Sequence, residues 1–246
     1  MNDERFFTIL AVQTDAMQGT RERVPRRLKS RLYSALVSEQ AASRPLLSLP
    51  ATQAAGRPLC DSEAGKIAHH PVGAREEVMA DINVALAASR QAIDELIVAG
   101  EQTGPAWTAP RAPGKWSPSQ IVEHVARSLE ESANVAAGRR SKFPKLPVVI
   151  HPLVRLLLFK RVLKNEGFPK AKTNKAMDPE SGPATPAEGR SRLETAHQKF
   201  DEACRQLASR GGRMATTIFG RVAVEDYVRF MEIHTRHHEK QIADRG

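Results

Sequence analysis

Four stretches of this chain repeat apolar residues at helical rather than strand spacing, and that periodicity limits the fold more than any other feature. In "AREEVMADINVALAASRQAIDELIVAG" the residues Val78, Ile82, Ala85, Ser89, Ile93 and Leu96 recur three or four apart, and Gly100 is a natural C-terminal stop. In "GKWSPSQIVEHVARSLEESANVAAG" capping chemistry fixes the start. Ser117 takes the N-cap, Pro118 the first helical position, and Gln120 completes a capping box, with Trp116 placed to staple onto Ile121. That register puts Ile121, His124, Val125, Ser128 and Leu129 on one face. A second capping box, Thr185 to Glu188, opens a third helix carrying Leu193, Ala196, Phe200, Ala203 and Leu207 and ending near Gly211 and Gly212. The fourth runs from about Val224 to Ile242, with Ala223 a weak cap and Glu225 and Asp226 suited to the positive end of the helix dipole. With no convincing strand run, these four helices predict an all-α fold built as a four-helix bundle.

The flanking segments differ. Residues 1–72 hold one basic amphipathic stretch, with Val24, Leu28, Leu32 and Leu36 in a stripe among Arg23, Arg26, Arg27 and Arg31, followed by a Pro-, Ala- and Ser-rich linker. A single helix cannot build a core, so this part is expected to be a mostly disordered or loosely docked extension. The bundle is then assigned to residues 73–246. Between the second and third helices, residues 141–184 are broken up by six prolines. Within them "IHPLVRLLLFKRVL" suggests a short amphipathic helix. It is read as a lid over the bundle in preference to a membrane-touching turn, because Arg155 and Lys160 interrupt it.

Composition narrows the setting. The formal charge of +9 permits association with nucleic acid or an anionic surface, but a solvated basic surface is the simpler reading, and no nucleic-acid-binding motif accompanies it. Cys60 and Cys204 show no paired spacing, which points to a reduced, cytoplasmic compartment. No window holds the roughly 20 apolar residues that a spanning helix needs.

The stretch "MEIHTRHHEKQI" packs three of the eight histidines into five positions. Tyr227, Met231, His234, His238 and Gln241 follow a 4-3-4-3 spacing, which sets His234 and His238 one turn apart on the inward face. His237 lies about 60° off His234 and is the weaker candidate. An HxxxH pair by itself is weak, and Thr235 stands where a zinc protease of the HExxH type needs Glu. His124, placed independently on the inward face of another helix, could complete a three-imidazole set with open positions, as in a catalytic metal site. Spacing alone leaves this open against three core histidines held by hydrogen bonds. No general base is evident: Glu123 points about 100° away from His124, and Glu130 and Glu131 sit about two turns on. His197 is expected to be a half-exposed bundle residue. A separate cluster of Cys60, His69 and His70 is the least favoured site.

Together, "GKWSPSQIVEHVARSLE" and "FGRVAVEDYVRFMEIHTRHHEKQI" resemble the DinB-like (YfiT-like) superfamily of metal-binding four-helix bundles, the stress-associated family and not the polymerase of the same name. The resemblance covers about residues 74–246. It implies an up-down-down-up bundle with one divalent ion, usually zinc or nickel, on His124, His234 and His238. It also implies an enzyme similar to transferases and isomerases that use low-molecular-weight bacterial thiols such as bacillithiol or mycothiol. Two departures stand out: "MATTIFG" replaces an expected His-Pro loop, and Ala223 replaces an expected Ser or Thr. A metal-dependent hydrolase and a non-catalytic metal-binding interaction protein are the alternatives, and a homodimer stays open.

Overall fold

The structure is a computed structural model describing residues 72–168 and 173–243. The basic stretch around residues 21–36, the linker after it and the Cys60, His69 and His70 cluster all lie outside the described residues. Four long helices dominate: α1 (Val72–Glu101), α2 (Pro118–Ala136), α5 (Pro186–Ser209) and α6 (Val224–Ala243). Between α2 and α5 come two short helices, α3 (His151–Val154) and α4 (Lys160–Asn165), joined by a five-residue π-helical turn, Arg155–Phe159. The π turn adds one residue to the repeat, so Val154 and Phe159 face inward five apart, with Val162 following them.

The helix starts are built as the capping chemistry requires. Ser117 Oγ accepts from Gln120 N while Gln120 Oε1 accepts from Ser117 N, the reciprocal box that orients α2. At α5 the expected reciprocal box does not close. Thr185 Oγ1 accepts from Glu188 N, but the Glu188 carboxylate reaches one residue further back, to Ala184 N. The indole of Trp107 donates to Pro183 O at 2.8 Å, and Ser119 Oγ donates to the same carbonyl at 2.6 Å, tying the end of the insert to the start of α2.

The four long helices share one core. α1 packs on α6 and on α5, and α2 packs on α5. Ile82, Ile93 and Leu96 of α1 meet Val125 and Leu129 of α2, Leu193 and Phe200 of α5, and Val228 of α6 in a single buried cluster. Val78, placed on the inward stripe by spacing, is instead exposed, because the first turns of α1 run past the core. Ala203 and Leu207 are half-buried at its edge.

The absence of strands is also corrected. Met214–Thr216 (β1) and Gly220–Val222 (β2) pair antiparallel, Met214 opposite Val222. Thr216 Oγ1 accepts from Phe219 N and donates to Gly220 O, and Gly220 takes φ +71°, so a tight turn forms over too few residues to show a period. Phe219 then stacks into an aromatic cluster with Phe159 and Phe230, ring centroids 5.0–5.3 Å apart. This cluster docks the α3–α4 segment against α6 beside the hairpin.

Candidate metal centre

α2 and α6 each carry their histidines on the stripe predicted for the core, and the structure brings the three together. His124 Nε2 lies 3.3 Å from His234 Nε2, and His238 Nε2 lies 3.2 Å from the same atom. One ligand atom from each of the three falls within 4.8 Å of the others. His124 and His238 are buried, and His234 is half-buried. His237 is left at the rim, 5.3 Å ring to ring from His238. Among the described residues these three form the one group of His, Cys or acidic side chains spaced to hold an ion.

The hydrogen bonds fix which nitrogen faces inward. His124 Nδ1 donates to Met177 O at 2.7 Å; a carbonyl only accepts, so the Nε2 of a neutral His124 carries a lone pair. His238 Nδ1 donates to Gln241 Oε1 at 2.9 Å, with the same consequence. Gln241 Nε2 in turn donates to His237 Nε2 at 3.0 Å. Two inward lone pairs therefore converge on His234 Nε2, while His234 Nδ1 is buried with no hydrogen-bond partner among the described residues. Burial is the first cause that holds His234 and His238 well below the usual imidazole range, and the neighbouring imidazoles add to it; burial lowers His124 too, against the Met177 bond that raises it. Neutral rings with converging lone pairs are a poor hydrogen-bonding set and a good ligand set.

The two spacings to His234 suit an ion as they stand, while the ligand atoms of the full set, within 4.8 Å of one another, must draw to about 4 Å or less for all three to hold it at once. With metal–nitrogen bonds of about 2.0–2.1 Å, nitrogens 3.2–3.3 Å apart subtend about 105° at the metal, near the tetrahedral angle. Carbonyl and amide partners behind two of the rings are the usual means of orienting such ligands. Trp116 covers the centre, its ring 4.8 Å from His124 and its Nε1 donating to Asp178 at 3.1 Å. Phe168 meets His234 edge-on at 5.4 Å.

The carboxylates weighed in the sequence are engaged elsewhere. Glu123 pairs with Arg127 and Arg192, Glu130 with Arg192 and Lys199, and Glu131 accepts from Lys142 N. The Arg192 guanidinium, first among its neighbours, holds Glu130 below the usual carboxylate range. His197 is also corrected. It is buried rather than half-exposed, and it lines a groove of about 740 Å³ between α1 and α5, with Leu86, Arg90 and Asp201. Met177 O, Phe168 and Asp178 were missed by the sequence reading. They come from the irregular insert, where nothing in the spacing foretells which residues return to the site. Gln241 did stand on the predicted stripe.

A sequence model of the DinB superfamily matches residues 85–242, which take in α2, α6 to its penultimate residue and all three converging histidines. The chain belongs to the DinB superfamily. No curated protein and no solved structure gives a match.

Proposed function

We propose that this DinB-superfamily chain binds one divalent ion, zinc or nickel, through His124, His234 and His238, on an up-down-down-up bundle, and that it is a thiol transferase. The observation that carries the reading is the convergence of three neutral imidazole nitrogens, two of them held lone-pair-inward by Met177 O and Gln241. When bound, such an ion supplies a positive charge that favours the thiolate form of a thiol or the deprotonated form of water. The chain's own residues do the rest. His124, His234 and His238 are neutral donors, so they leave that charge uncompensated. Trp116 and Phe168 cover the histidines with apolar surface and limit water.

Thiol transfer is favoured over hydrolysis by what surrounds the triad. Glu123, Glu130 and Glu131 are tied up in ion pairs or a backbone bond, and Asp178, the carboxylate nearest the cover, accepts from Trp116 Nε1, so each of these carboxylates already holds a partner. A thiolate needs no general base once formed, whereas attack by water usually does. In the transfer the thiol loses its proton to solvent, and its sulfur forms a bond to an electrophilic carbon, displacing the leaving group with its electron pair. The test incubates metal-loaded protein with a panel of bacterial thiols and a chromogenic electrophile, with His124→Ala as the blank. Thiol-dependent product formation lost in His124→Ala supports the proposal. Equal rates for both proteins, alongside metal-dependent hydrolysis of a simple ester, would transfer the assignment to a hydrolase.

A further inference from the structure

The segment from Val148 to Asn165 has two apolar faces, and the bundle uses one. Val154, Phe159 and Val162 are buried against the core. On the opposite side Val148 and Val149 are 77% and 85% exposed, Leu156 is 60% exposed, and Leu153 and Leu157 are exposed with them. Five of the eight large exposed apolar side chains of the described residues thus fall within ten positions. Monomeric proteins seldom leave such a cluster facing water without a use for it.

Charge says what the face fits. Residues 132–165 contain eight Lys and Arg and no Asp or Glu. Lys145 before the apolar cluster, and Lys160, Arg161 and Lys164 after it, are exposed. Glu166, the first acid beyond, is paired with Arg229 at 2.9 Å. Along the outward side the helix is apolar in its first half and cationic in its second; Arg155, expected to interrupt the segment and so to favour a lid, is half-buried and donates to Arg221 O, and Lys160 joins the cationic half. A second copy of the chain would set like charge against like charge across a two-fold axis. The stretch around residues 21–31 of the same chain carries Arg23, Arg26, Arg27 and Arg31 and has the same sign. An anionic lipid surface complements both halves, taking the leucines and valines at the acyl boundary and the lysines at the headgroups.

We propose that the outward face of the α3–α4 segment docks the protein on anionic membranes, lying on the surface without crossing it. No helix of the described residues is long and apolar enough to span a bilayer. The face holds none of the three converging histidines.

The experiment is co-sedimentation of the full chain with phosphatidylcholine vesicles, with and without about one-third phosphatidylglycerol, at low and physiological salt. Wild type is expected to bind the anionic vesicles and not the neutral ones. A Leu156→Ser, Leu157→Ser double variant should lose binding roughly tenfold or more. A Lys160→Ser, Lys164→Ser double variant should lose a similar factor and show a shallower salt dependence. Both variants keep residues 1–71 intact, so a loss in them belongs to this face. Melting temperatures should match wild type, because the changed side chains are exposed. Wild type that stays in the supernatant, or leucine variants that bind undiminished, would overturn the proposal. A leucine variant that binds vesicles as wild type does but melts lower, or changes oligomeric state, would assign the face to this chain or to a second copy.

Discussion

Gln241 joins two histidines of different standing. Its Oε1 accepts from His238 Nδ1, which leaves the His238 Nε2 lone pair facing the centre, while its Nε2 donates to His237 Nε2, which engages that ring's lone pair at the rim. Replacing Gln241 by Ala is expected to weaken metal affinity about 10- to 100-fold with the helical signal unchanged, measured by competition with a chromogenic chelator. His237→Ala should keep the metal content of the wild type. A His237→Ala protein that loses its ion while His238→Ala retains one would mean that the wrong pair was chosen. The three histidines were legible because each sits on a helical stripe, and a stripe is a statement about direction. The Met177 carbonyl was not, since a backbone acceptor leaves no mark in side-chain spacing.

Among the helices, α5 shows how one small residue sets a packing distance. A Cβ built on Gly189 would lie 2.7 Å from the Trp107 ring, and that indole cannot easily shift because its Nε1 is held by Pro183 O. Gly189→Val is therefore expected to destabilise the fold by about 1–3 kcal/mol through overpacking, read from urea denaturation. Stability equal to the wild type would show that the indole moves freely. The caps at Ser117 and Thr185 were legible residue by residue, as was the Gly211 stop, which has φ +67° and donates its N–H to Ala208 O. The hairpin was hidden because strands of three residues carry no period. The buried place of His197 was hidden too, because a histidine beside a charged neighbour such as Asp201 looks like surface in sequence.

At the scale of the molecule, the family match begins at residue 85, inside α1, and the single core is built from the described helices. We propose that residues 1–72 are separable from it; shortening the chain to residues 73–246 should leave the melting transition nearly unchanged, and a large drop would show that the two pack together. The helical character of the described residues was legible from periodicity because burial in a helical core repeats every three to four residues. The way the insert closes over the histidines was not, because its contacts are set by the finished fold. The central claim is the ion itself. Metal analysis of the full chain, purified without an immobilised-nickel step, should return close to one divalent ion per chain, lost in His124→Ala, His234→Ala and His238→Ala. Metal-free wild type that also fails to take up zinc or nickel on titration, or an ion retained in all three variants, would contradict it.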